Sequence, residues 1–177
     1  QGDDAQLESA TRDFGNHALA LNLLAAYLHE IPGHNISDAS QIPDVDISEE
    51  AGKHPRRVIA AFEKRFGDSS EVGLPRMLGL FDRPADKGSI DALRAEPAIP
   101  DMTEHIHGLD EGEWLRLLQD LRRVRLIAPE SDHNRDVLDA HPLVREHFGR
   151  QLQGQYPDAW REGNNRLYEY LKAIAKE

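Results

Sequence analysis

The chemistry this chain can offer centres on His141. It stands in the run Val137-Leu138-Asp139-Ala140-His141-Pro142-Leu143-Val144-Arg145-Glu146-His147-Phe148, where a short strand-like stretch passes straight into a helical one. An imidazole at such a junction can point out of the end of a small domain towards whatever docks there. Neutral or protonated, it can donate to a phosphate oxygen, and its charge state can respond to the bound anion. The same position also suits a helix cap or a packed side chain, and the residues alone leave both roles open.

Other constellations fall short of a catalytic set. His29-Glu30-Ile31-Pro32-Gly33-His34 approaches a zinc-protease helix, but its second histidine comes one residue late. Pro32 and Gly33 also break the helix that must present both ligands on one face. His105 and His107 would share a face if they lay on a strand, yet the sequence offers no third ligand beside them, so surface histidines are expected and no metal site. Gly52-Lys53 is not a phosphate loop, because Ile47 replaces its first glycine and His54 its Ser or Thr. No Gly-x-Ser-x-Gly elbow occurs, and Glu49 and Glu50 read as solvated charge. No catalytic residue is assigned.

The elements that must position His141 are mostly helical. Phe14 to Leu28 reads as one helix, apolar on most sides and hence buried, ended by Ile31-Pro32-Gly33. Residues 34–54 are polar and read as a linker with room for a short turn of helix. Pro55 suits a first helical position, and Val58, Ile59, Phe62 and Phe66 follow at helical spacing. Leu74, Met77, Leu78 and Phe81 repeat that spacing. Residues 82–88 read as a loop and Ser89 to Ala95 as a short helix. Trp114, Leu117, Leu118, Leu121 and Val124 make an amphipathic helix, with Asp110 and Glu113 spaced as a capping box. Leu126-Ile127-Ala128 and Val137 to Ala140 then read as the two strands of a hairpin, with Pro129 to Asp136 as its turn. Leu143 to Leu152 is helical, and Pro157 opens a last helix carrying Trp160, Leu167, Leu171 and Ile174. This order is that of a winged-helix domain, with 110–124 as its third helix and 126–140 as its wing.

Composition narrows the function classes. The 177 residues are 39% hydrophobic and 30% charged, a globular balance. Cysteine is absent, which excludes disulfides and thiolate metal sites and suggests a reducing, cytoplasmic location. No apolar run reaches membrane-spanning length. The net charge of −11 opposes a phosphate-backbone grip, because such affinity comes largely from cations displacing counterions. A DNA-reading third helix would use Arg116, Arg122 and Arg123. Asp120 lies at pairing distance from Arg116 and Arg123 along that helix, so a solvated face is the stronger reading. The polar start without Met suggests a piece of a longer protein.

Two stretches then resemble a known family. Gly15-Asn16-His17-Ala18-Leu19-Ala20-Leu21 resembles the Gly-x-Pro-Leu-Ala-Leu helix of the first helical domain in NB-ARC and related STAND ATPases. Asp139 to His147 resembles the Met-His-Asp-Leu-Val-Arg segment of their winged-helix domain. Met77 to Asp86 and Gly108 to Leu126 are similar to other parts of that domain, in the right order. The resemblance implies a mainly α chain. Residues 1–33 would be the C-terminal part of the ATPase-associated helical domain, 34–54 a linker and 55–155 a winged helix with a two-stranded β-hairpin wing. Residues 156–177 would form a C-terminal helix leading towards repeats.

The resemblance further implies a non-catalytic regulatory segment of an NLR-like signalling switch. It would dock on a P-loop ATPase domain of the same polypeptide and hold the ADP-bound resting state before the parent protein homo-oligomerises. Bacterial defence or regulated signalling is the implied setting. His141 would contact the ADP phosphate, and Gly15 and His17 would lie near the adenine. His17 replaces the family's Pro, and Pro142 replaces its Asp. No Walker lysine or acid is present, so this stretch binds no cofactor alone, while the parent would bind ADP or ATP with Mg. The rival readings are a winged-helix transcription regulator on nucleic acid, through the three arginines, and a protein-interaction scaffold without a nucleotide role.

Overall fold

A computed structural model describes residues 3–30, 35–42, 52–130 and 137–176. These residues are mainly helical, with eight α-helices and one two-stranded antiparallel sheet among them. The helices are α1 (Asp4–Asp13), α2 (Ala18–His29), α3 (Lys53–Phe66), α4 (Ser70–Leu78), α5 (Lys87–Arg94), α6 (Glu111–Arg123), α7 (Pro142–Gln155) and α8 (Pro157–Ile174). The strands are β1 (Ala85–Asp86) and β2 (Val137–Leu138). No helix among the described residues is long and apolar enough to cross a membrane.

Local chemistry accounts for most helix starts. Asp110 and Glu113 close the expected capping box on α6: the Glu113 N–H donates to Asp110 Oδ1 at 2.8 Å, and the Asp110 N–H to Glu113 Oε2 at 3.0 Å. Asp3 and Gln6 do the same for α1. The single helix expected from Phe14 is divided instead. Gly15 and Asn16 both take positive φ, 63° and 53°, so α1 stops and α2 begins only at Ala18. Gly15 therefore sits in the corner before α2 rather than on it. The interior backbone of a helix cannot hold left-handed residues.

The hairpin expected between 126–128 and 137–140 is not the sheet that forms. β2 pairs with β1, with Ala85 opposite Leu138 and Asp86 opposite Val137, in a segment expected to be loop. The reason lies in the end of α6. The amides of Leu126 and Ile127 both donate to the Leu121 carbonyl, at 3.0 and 3.3 Å, and are spent there rather than on a ladder. One bond remains between the two segments, from the Ala128 N–H to the Asp139 carbonyl at 2.8 Å. The expected turn at 131–136 lies outside the described residues, as does His34 of the histidine pair at 29 and 34.

The segment read as a linker is partly packed. A 3-10 helix, Ile36–Gln41, rests on α1 and α2, Ile42 is buried, and Arg57 Nε donates to its carbonyl at 2.9 Å. Buried apolar side chains run without a break from Ala10 to Leu167, with Phe14, Phe62 and Phe148 fully enclosed. The helix that follows His141 is seated by its row Val144, Phe148 and Leu152 and by a close crossing on α4. At that crossing a Cβ on Gly149 would stand 2.6 Å from the Gly79 carbonyl oxygen, and a Cβ on Gly79 2.5 Å from the Gly149 nitrogen. Only two glycines permit that approach.

Candidate anion-binding site

His141 is the N-cap of α7. Its Nδ1 accepts from the Leu143 N–H at 3.2 Å, and Pro142 occupies the first turn, where a missing N–H costs nothing. A ring that accepts at Nδ1 carries its proton on Nε2, so the cap bond fixes the tautomer and turns a donor outward. The two roles that the residues left open are thus compatible in one side chain. Asp139 braces the junction from below, accepting from the Ala140 N–H at 2.8 Å and from Arg145 Nη1.

The surroundings of His141 are cationic. Burial pushes its pKa below the ordinary 6.5, the neighbouring His17 and Arg145 push it further down, and Asp139 opposes them. His17, the N-cap of α2, is therefore close enough to act on it electrostatically, although far away in sequence. His17 makes no side-chain cap bond, and its Nδ1 is buried without a hydrogen-bond partner among the described residues. Arg122 and Arg125 line an open cleft of about 590 Å³ together with Asp139 and His141.

Helix direction adds to this field. Gly15, before α2, lies against His54 at the start of α3, since a Cβ there would stand 2.6 Å from the His54 ring. Arg65, near the end of α3, donates to the carbonyl of Glu30 at the end of α2. These two helices therefore run parallel. Gly52, the N-cap of α3, lies against Leu143 in the first turn of α7. Three positive helix ends thus gather beside His141. None of α2, α3 and α7 has an acidic residue in its first turn, whereas α1, α4, α6 and α8 all do. In a chain of net charge −11 these three helix starts carry no acid of their own in the first turn, and Asp139 is the carboxylate that lines the cleft beside them. Such a place suits an anion.

The three arginines of the rival reading are not one surface. Arg123 is held by Asp120 at 2.7 Å and Glu30 at 3.0 Å. Arg122 pairs with Glu130 at 3.1 Å, and its Nε is buried without a partner among the described residues. Arg116 is exposed on α6. Arg122 thus stands with His141 rather than with Arg116. Arg125, at φ 63°, donates to Asn22 Oδ1 at 2.8 Å and ties the end of α6 to α2. No pattern in the sequence marks it, because its position depends on a backbone turn. Compared with known proteins, the chain matches no family model, no curated protein and no solved structure.

Proposed function

We propose that this chain is the non-catalytic regulatory segment of a STAND-type nucleotide switch, docking reversibly on a P-loop ATPase domain of the same polypeptide. The observation that carries the reading is the His141 corner: an outward Nε2–H donor, a second histidine, two arginines on one cleft and three helix N-termini with no acid in their first turns. That donor set fits the diphosphate of ADP, which supplies two or more negative charges when bound. His141 donates to a phosphate oxygen. His17 stands beside it as a second imidazole, Arg122 adds a guanidinium shared with Glu130, and Gly15 lets the His54 ring close up against the corner before α2. The winged-helix part is supported by the succession α4, α5, α6, a backbone bond from residue 128 to residue 139, and a strand leading into α7.

The energetics suit a switch. A ligand biases a two-state equilibrium only by its differential affinity. One charge-assisted hydrogen bond contributes about 1.5–3 kcal/mol, enough to tilt a balanced docking equilibrium but not to impose it. ADP, with Mg in the parent protein, then favours the docked resting state, and release precedes homo-oligomerisation and signalling in a cytoplasmic, defence-related setting. The chain itself carries out no reaction.

Exposure of His141 counts against the pure scaffold, which would enclose it. The pairing of Arg122 and Arg123 with carboxylates counts against a nucleic-acid reader. Calorimetry of ADP binding to the protein with its ATPase domain, with and without His141→Ala, tests the proposal. Tight binding weakened about tenfold or more by the substitution is expected, as one charged hydrogen bond implies. Binding indifferent to His141 would return it to a structural role and favour the scaffold.

A further inference from the structure

The expectation of plain surface histidines at 105 and 107 rested on the lack of a third ligand, and the fold brings that ligand in from elsewhere. Asp68, at the corner between α3 and α4, meets Glu104 and His105 on the turn between α5 and α6. One ligand atom from each of the three residues lies within 4.8 Å of the other two. His105 Nε2 is 3.3 Å from Asp68 Oδ2 and 3.6 Å from Glu104 Oε1. His107 goes its own way, with Nδ1 at 3.1 Å from the Glu104 carbonyl.

We propose that Asp68, Glu104 and His105 form a surface site for a divalent transition-metal ion of the zinc type. Bonds of about 2.0–2.2 Å in a tetrahedral shell place ligand atoms roughly 3.3–3.6 Å apart, the spacing His105 already keeps from both carboxylates. The two carboxylates close the remaining distance by rotation, which their exposure permits. A fourth position stays open to water.

Charge balance favours a metal over ion pairing alone. Two carboxylates this close repel one another, and an imidazolium offers one charge against two. A dication with neutral imidazole balances the set. The nitrogen ligand favours zinc-like ions over magnesium or calcium, which take oxygen shells.

The backbone on both sides is held in place. Gly67 turns α3 into Asp68 with φ 63° and ψ −146°, a conformation open essentially to glycine. Across the gap, Glu104 and His105 stand between buried Thr103 and Ile106. Thr103 Oγ1 accepts from the Ile99 N–H at 2.7 Å, and the His107 N–H donates to the Thr103 carbonyl at 2.9 Å. A bound ion therefore cross-links two fixed turns of the fold, independently of the His141 corner.

Calorimetry with zinc chloride on the whole chain tests this, beside His105→Ala, Asp68→Asn and His107→Ala. All three positions are exposed or half-buried at the surface, and circular dichroism checks that each variant keeps its helices. One equivalent of zinc is expected to bind, weakened at least about tenfold by either of the first two substitutions and unchanged by the third, with no competition from excess magnesium. Absence of zinc binding overturns the proposal. So does zinc binding that survives both His105→Ala and Asp68→Asn, which would place the ion on other histidines, or binding lost equally in His107→Ala.

Discussion

His141 and His147 stand less than two turns apart along the same segment, yet they meet opposite surroundings. His147 points inward between α3 and α7, its Nε2 3.3 Å from Glu63 Oε2 and its ring edge-on to Phe148. Glu63 also accepts from Gln151, and buried Arg76 joins the group through Gln151 Oε1 at 3.0 Å, the Asp101 carbonyl at 2.8 Å and the Tyr156 hydroxyl at 3.2 Å. Every charge in that cluster has an opposite beside it. At the His141 corner, arginines and helix ends gather around Asp139, and the cap bond at Nδ1 is the one side-chain hydrogen bond of His141 among the described residues. The first arrangement holds helices together. Under the proposed function, the second is less favourable alone and would improve when an anion arrives.

The sharpest way to break the comparison is to remove Arg76. Arg76→Ala strips three hydrogen bonds from a buried site and leaves Glu63 without its guanidinium. A loss of about 3–5 kcal/mol in urea unfolding is expected, as for other broken buried pairs, with anion binding at His141 little changed in whatever folds. Gly149→Ala comes next. Its Cβ meets backbone that cannot swing aside, so a loss of about 1–3 kcal/mol is expected, and α7 shifts both histidines at once.

Acid separates the two regions by pH window. For Glu63, burial alone raises the pKa, but bonds from His147 and Gln151 and the charges of His147 and Arg76 outweigh it and hold the carboxyl below 4.5. Its contribution is present above 4.5 and is lost as pH falls through the lowered folded value. Glu63→Gln should therefore flatten the stability curve below pH 4.5. For His141 the folded pKa lies below 6.5, so the unfolded chain takes up its proton first. Stability should slip as pH falls from 6.5, and His141→Ala should remove that slope. The smallest effect is His141→Ala at neutral pH, where loss of the cap bond costs about 1 kcal/mol or less in urea unfolding.

What the sequence made legible was local. The capping box at Asp110 and Glu113 and the row Val144, Phe148 and Leu152 both rest on spacing within one helix, and both formed. The division at Gly15 and Asn16 was missed because the Ala- and Leu-rich run beyond them dominates the pattern. The sheet was misassigned because the amides of Leu126 and Ile127 are consumed by the end of α6. Periodicity cannot register that competition. His141 stood out from its junction, but its nearness to His17, the entry of Arg122 and Arg125, and the parallel run of α2 and α3 are long-range results of packing. The same holds for Asp68 beside Glu104 and His105.

The most direct test of the central claim is a histidine-ring NMR titration of this chain against pH, with and without pyrophosphate. The account predicts that pyrophosphate raises the His141 pKa from its depressed value, because a bound anion favours the protonated ring, while the ring signals of His147, packed beside Glu63, do not respond to it. A His141 titration unmoved by pyrophosphate, or a response to pyrophosphate as large in the His147 signals as in those of His141, would contradict it.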